Sequence, residues 1–400
     1  MAVEEGGSSY TVVSARRVER YRGVASDGRY EQSSCMPTPT PLINLHGFEA
    51  AAADVLPRMV YDYYAGGAND ELLLGAARTA WNDLTLRYRV LRDVSERSQR
   101  TEVLGHTLDW PVFVAPMAFQ QLAHADGEVA TAQAAEQTGA GMILSTLSNR
   151  TIEAVRAGTT GPLWFQLYIY RDRGITAELV QRAERAGCTA LVLTVDAPLL
   201  GRRERDLLNG FHLPPEVPVP NLGVALRATL AGGADATTSP NSALAEFFDR
   251  HWDPSISWRD LAWLQSLTTL PILVKGVVRG DDALLAIEHG AAGVIVSNHG
   301  GRQLDTAIAT ARALPEVVNA IGGRGAVLVD GGIRRGTDVL KALAMGAQAV
   351  LLGRPVLWGL AVNGQQGAQQ VLQLLKSECD LALALAGCRT PADVTRDLLG

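Results

Sequence analysis

The stretch Ser297-Asn298-His299-Gly300-Gly301-Arg302-Gln303-Leu304-Asp305 sets a histidine just ahead of an arginine, with two glycines between them. Imidazole is the side chain whose proton affinity lies nearest neutrality, so His299 suits general-base work. Guanidinium offers a planar fork of donors, so Arg302 suits a carboxylate. The glycines let the backbone turn sharply between the two. A second group is Asp330-Gly331-Gly332-Ile333-Arg334-Arg335-Gly336, followed by Leu352-Gly353-Arg354-Pro355. Bare glycine N–H groups beside Arg334 and Arg354 suit a phosphate. Neither stretch is a P-loop or a dinucleotide fingerprint, so neither ATP nor NAD is indicated. Arg202 and Arg203 form a further pair, of which one ordinarily faces solvent while the other can reach a bound anion. The 7 histidines show no HxxxH or HxH spacing, so no metal is expected.

Elements able to position these groups follow from hydrophobic patterning. Short apolar runs occur at Pro111–Pro116, Gly141–Thr146, Leu163–Tyr168, Ala190–Asp196, Pro271–Gly276, Ala292–His299, Gly325–Ile333 and Ala349–Pro355. Continuous apolar runs bounded by turn residues suit strands buried on both faces. Helical patterns separate them at Ala130–Thr138, Ile152–Ala157, Ala177–Ala186, Asp281–His289, Ala307–Ala320 and Thr337–Met345. Eight alternations favour an α/β fold of the closed (β/α)8 TIM-barrel type over an open doubly wound sheet. A helical segment precedes the barrel over Leu42–Ala77, broken at Gly66-Gly67. The stretch Ala197–Leu270, after the fourth strand, is long for a connection and reads as a lid over the barrel mouth.

Barrel enzymes carry their chemistry at the C-terminal ends of the strands. Here those ends bear Pro116-Met117-Ala118, Ser145, Gln166 and Tyr168, Thr194 and Asp196, Lys275, Ser297 and His299, Asp330, and Gly353-Arg354. Each alone could be a hydrogen-bonded core residue. Together, on almost every strand, they point to a ligand.

Bulk properties bound the rest. The chain has 400 residues with a formal net charge of −6, so nucleic acid is not an expected partner. Apolar runs stop short of the ~20 residues of a membrane helix. Four cysteines without a CxxC pair suit reduced thiols in the cytoplasm. Residues 1–40 are rich in Ser, Arg, Glu and Pro and read as a disordered tail. Their acidic residues argue against an organelle leader. Residues 41–400 form the expected catalytic domain.

These motifs resemble the FMN-dependent 2-hydroxy-acid oxidases, the family of glycolate oxidase and lactate oxidase. Ser297–Asp305, Asp330–Gly336 and Thr194-Val195-Asp196 with Gly201-Arg202-Arg203 carry the resemblance, which spans Leu42 to Cys388. It implies His299 as the base and Asp196 as the acid that steadies it. It implies Arg203 and Arg302 as the carboxylate clamp, with Tyr63 and Tyr168 as substrate-binding tyrosines. Lys275 would lie beside flavin N1 and O2. Pro116, Met117, Ala118, Ser145, Gln166, Thr194 and Ser297 would hold the isoalloxazine and ribityl parts. Asp330, Gly331, Gly332, Ile333, Arg334, Gly353 and Arg354 would hold the ribityl and phosphate. With no haem domain and no membrane segment interrupting Ala197–Leu270, O2 is the expected electron acceptor. The family also implies a homo-oligomer, a tetramer. Met117 and Leu147 stand where plant glycolate oxidases carry Thr and Trp. They favour a methyl-bearing substrate such as L-lactate over glycolate, as in cyanobacterial lactate oxidases; the alternatives are a glycolate oxidase and a mandelate-type oxidase.

Overall fold

The computed structural model describes residues 41–222 and 242–400. The expected tail and the Ala231–Pro240 part of the insertion lie outside the described residues. Helices α1 (Leu45–Val55), α2 (Arg58–Ala65) and α3 (Leu72–Asn82) come first. The sequence pattern suggested one helix up to Gly66, but Pro57 divides it. Proline lacks an N–H and drives the residue before it out of the helical region, and Leu56 is extended at φ −81° and ψ 142°.

Strands β1 (Thr101–Val103) and β2 (His106–Leu108) form an antiparallel hairpin that the sequence analysis did not anticipate. Its turn uses Leu104 and Gly105, both at positive φ. Val103 and Leu108 cluster with Phe113, Ile143, Trp164, Leu273 and Leu351, so the hairpin plugs the N-terminal end of the barrel.

The barrel then follows as β3 (Val112–Val114), α4 (Gly127–Thr138), β4 (Gly141–Leu144), α5 (Ile152–Ala157), β5 (Leu163–Leu167), α6 (Arg173–Ala186) and β6 (Leu191–Thr194). The insertion carries α7 (Glu204–Leu208), α8 (Ala243–His251) and α9 (Trp258–Gln265). The second half is β7 (Ile272–Val277), α10 (Gly280–Glu288), β8 (Gly293–Val296), α11 (Thr310–Ile321), β9 (Ala326–Val329), α12 (Gly336–Ala344), β10 (Ala349–Leu352) and α13 (Arg354–Ala386). Strands β3 to β10 are parallel and close on themselves, with Leu351 of β10 opposite Phe113 of β3. All eight expected strands are present.

Alternate residues of each strand fill the barrel or face the helices, and both sets are buried. That double burial is why the strands read as unbroken apolar runs. Gly141 is required inside: a Cβ there would lie 2.2 Å from the Phe113 ring. Helix α13 was not anticipated at its full 33 residues, because Asn363 and Gly364 interrupt its pattern with a kink. Among the described residues, no helix is long and apolar enough to cross a membrane.

Candidate active site

A pocket of about 1100 Å³, counting its open mouth, lies at the C-terminal ends of the barrel strands. It is lined by Tyr63, Pro116, Met117, Ala118, Ser145, Leu147, Gln166, Tyr168, Thr194, Arg203, Lys275, His299 and Arg302. Asp330, Gly331, Gly332, Ile333, Arg334, Gly353 and Arg354 complete the set singled out from sequence. Asp196 and Ser297 stand one layer behind, bonded to residues that do line it.

His299 leaves β8 in the left-handed region, at φ 56°, and Gly300 and Gly301 continue there at 64° and 75°. For a residue with a side chain this conformation costs roughly 1–2 kcal/mol. Such strain persists where surrounding contacts fix it. Here the His299 N–H donates to Ser297 Oγ at 3.1 Å, and His299 Nδ1 lies 2.7 Å from Asp196 Oδ1. Nδ1 is thereby committed, which leaves Nε2 as the ring nitrogen without a bond to Asp196. Burial pushes the His299 proton affinity down; Asp196 raises it in part, while Lys275 and Arg203 lower it further. Burial alone would raise the Asp196 carboxyl, but His299 and Lys275 outweigh it and hold Asp196 below the usual carboxylate value. The pair is therefore a neutral imidazole on a carboxylate near neutral pH.

The arginine pair after β6 resolves cleanly. Arg202 reaches Glu204 at the surface, whereas Arg203 is buried in the pocket. Burial, then the like charge of Arg302, lowers Arg203 to about 10. Arg302 Nη1 donates to the carbonyls of Tyr63 at 2.6 Å and Gly66 at 2.9 Å, at the C-terminal end of α2. Its guanidinium carbon sits 4.9 Å from the Tyr63 ring centroid. Tyr63 in turn stacks on Phe211 at 4.2 Å, and Tyr168 on Trp252 at 3.7 Å. Burial pushes both phenols up, so both hydroxyls keep their protons. Two cations facing one pocket are an unbalanced arrangement that a bound carboxylate relieves.

On the opposite wall, Lys275 Nζ donates to Ser297 Oγ at 2.7 Å, and Ser297 Oγ donates to Asp330 Oδ2 at 2.9 Å. Burial would lower Lys275, but Asp330 and Asp196 overcome it and keep the amine charged. Four buried polar atoms here have no protein partner: Gln166 Nε2, Thr194 Oγ1, Asp330 Oδ1 and Arg334 Nε. Buried polar groups are ordinarily paired, so four convergent orphans mark a polar ligand. Arg334 is depressed to about 10 by burial and by Arg78, and Arg354 falls well below its usual value through burial, Arg302 and Arg334. Arg354 donates to the carbonyls of Tyr64, Gly66 and Gly300 at the start of α13. Gly353 is the N-cap of that helix and has no side-chain cap, which suits an anion. Gly332 admits no side chain: a Cβ there would lie 2.5 Å from the Ala77 carbonyl.

Sequence reasoning missed Tyr64, Ala115, Leu244, Phe248, Leu351, Leu352 and Leu357, which also line the pocket. Leu244 and Phe248 come from α8 in the insertion. Their four-residue spacing was a legible sign of one helix face. Among the described residues, no group of three or more His, Cys, Asp or Glu could hold a metal.

Residues 52–400 match the family of FMN-dependent dehydrogenases. L-lactate oxidase of Nostoc sp. is 51% identical over 362 residues, covering 89% of this chain and 98% of its own. Glycolate oxidase of Spinacia oleracea is 48% identical, covering 89% and 95%. Among solved structures, a mandelate oxidase with (S)-4-hydroxymandelic acid has a TM-score of 0.85 at 42% identity, covering 90% of this chain and 98% of that one. FMN fits the pocket: the orphaned amide, hydroxyl and carboxylate atoms suit a polar cofactor, and Arg334, with Arg354 at the start of α13, suits its phosphate. With the buried His299–Asp196 pair, the two guanidiniums and this cradle in one pocket, and with these matches, the chain belongs to the FMN-dependent 2-hydroxy-acid oxidases.

Proposed function

We propose that this enzyme oxidises L-lactate to pyruvate and passes the electrons to O2. The balanced reaction is 2-hydroxy acid plus O2 giving 2-oxo acid plus H2O2. The observation that carries the choice of lactate is the apolar patch of Met117, Leu147, Leu244 and Phe248 in the same pocket as His299 and the two guanidiniums. A methyl group finds packing there that glycolate cannot use. Such a methyl is worth about 1–3 kcal/mol.

In this reading the substrate carboxylate lies between Arg203 and Arg302, with the Tyr63 and Tyr168 hydroxyls as further donors. The substrate hydroxyl gives its proton to His299 Nε2, and Asp196 stabilises the imidazolium that results. FMN, when bound, supplies the two-electron acceptor and relays the electrons to O2. Pro116, Met117, Ala118, Ser145, Gln166, Thr194 and Ser297 would hold its ring and ribityl chain, with Lys275 presenting a positive charge to it. Asp330, Gly331, Gly332, Ile333, Arg334, Gly353 and Arg354 would hold the ribityl and phosphate. Helix α8, carrying Leu244 and Phe248, serves as the cover that excludes water. Cys188, Cys379 and Cys388 are free and buried, which supports a reducing compartment such as the cytoplasm. A homo-tetramer follows from the family resemblance and is tested by sedimentation.

The deciding experiment is anaerobic flavin bleaching with L-lactate, glycolate and L-mandelate in parallel, then oxygen and a peroxide assay. Fastest bleaching by L-lactate with peroxide release supports the proposal. A win for glycolate or L-mandelate removes the argument from Met117 and Leu147 and leaves the chemistry standing.

A further inference from the structure

Glu128 is a fully buried carboxylate that the chemistry above does not use. It lies in the first turn of α4, and Thr131 lies one turn further on the same face. Both point at the segment that leaves β3. Glu128 Oε1 accepts the Gln120 N–H at 3.1 Å and the Asn149 N–H at 3.0 Å. Thr131 donates its hydroxyl to Gln120 Oε1 at 2.6 Å, and Gln120 Nε2 donates to the Met117 carbonyl at 3.4 Å. Two more bonds cross between the same segments: Gln121 N–H to Asn149 Oδ1 at 2.9 Å, and Phe119 N–H to Leu147 O at 3.2 Å.

The segment bearing Met117 and the segment bearing Leu147 therefore meet at one carboxylate oxygen. The clasp reaches further, because Asn149 Nδ2 donates to the Pro218 carbonyl of the insertion at 2.7 Å. The other oxygen, Oε2, is buried without a partner. A half-satisfied buried carboxylate is costly. What it supplies is one charged acceptor common to the two loops, beside the separate bonds that join them in pairs.

We propose that Glu128 is a specificity-determining positioning residue: its carboxylate sets the gap between Met117 and Leu147, and so the size of 2-hydroxy-acid side chain that the pocket takes. The inference rests on the reading of Met117 and Leu147 as the wall that meets the substrate. Glu128 touches neither substrate nor cofactor and acts through the loops it joins.

The test compares FMN-loaded E128A, E128D, E128Q and L147A with the parent, reading the ratio of kcat/KM for L-mandelate to that for L-lactate. Alanine removes the acceptor and aspartate draws it back, so both should raise the ratio by about tenfold, the scale of one methyl in such a pocket. Glutamine keeps an acceptor oxygen and should hold the parent ratio. A merely structural role would lower kcat/KM for both acids together and leave the ratio alone. If L147A shifts the ratio while the folded, FMN-loaded E128A or E128D does not, the role of Glu128 is overturned and the wall stands. If no variant shifts it, the wall falls and Glu128 with it. Should E128A not fold, E128D decides.

Discussion

Replacing Asp196 by asparagine isolates the electrostatic part of the proposed mechanism. Asparagine is nearly isosteric, and its Oδ1 can still accept from His299 Nδ1 across the 2.7 Å contact. The imidazole keeps its tautomer and aim while the negative charge is lost. Opposite charges about 4 Å apart at an effective dielectric of about 20 attract by about 4 kcal/mol. That attraction arises only as the imidazolium forms, so its loss falls on the transition state, at about three decades in rate. The assay is anaerobic stopped-flow flavin reduction by L-lactate across pH. The direction of the pH effect is also fixed. His299 must be neutral to act, so kcat/KM should rise with pH through an inflection below the ordinary histidine value of 6.5. Asp196 raises that inflection, so D196N should move it lower still. A loss smaller than tenfold, or an inflection that stays or rises, would refute the assignment.

Arg302→Met should raise the KM for L-lactate at least about 100-fold while FMN stays bound, since a charge-assisted carboxylate contact is lost; steady-state saturation curves check it. Arg334→Ala should weaken FMN, giving pale protein that excess FMN recolours, and unchanged flavin retention on dialysis would remove Arg334 from the phosphate site. Glu128→Gln should alter stability in a pH-dependent way. Burial lifts Glu128 from 4.5 to about 6, so the folded state binds its proton more tightly than the unfolded chain does. Ionisation therefore costs stability as pH rises through this interval, by at most about 2 kcal/mol. E128Q should gain on the parent in melts at pH 8, keep part of that advantage near pH 5 and lose it below about pH 4.5.

Much of this architecture was legible because the same physics wrote it twice. Strands buried on both faces have no polar alternation, so β3 to β10 stood out as apolar runs. Their polar ends stood out for the converse reason: Gln166, Thr194 and Asp330 could each be a hydrogen-bonded core residue alone, but polar ends on almost every strand call for a shared ligand. What escaped depended on contacts made at a distance. The apolar pattern runs through Pro57 unbroken, and only the extended Leu56 shows that the helix divides there. The hairpin at Leu104-Gly105 is too short to show a pattern and is held by the barrel it plugs. Leu244 and Phe248 looked like parts of a loop because their target, the pocket mouth, is built by residues far away in the chain. Which of Arg202 and Arg203 enters the pocket was likewise decided by tertiary packing.

The seam of the barrel has a consequence in time. Phe113 of β3 pairs with Leu351 of β10, the first barrel strand with the last. Contacts this distant in the chain are slow to form, because a long loop must close before they repay it. The cofactor cradle straddles the same seam: Met117 follows β3, and Gly353 and Arg354 follow β10, with Gly353 positioned so that a Cβ would lie 3.7 Å from Met117 Sδ. During synthesis the two halves of the cradle are made at opposite ends of the process. The cofactor cradle as a whole is thus completed only when the ring closes, and a ligand that binds there favours the closed barrel over every open form of the chain.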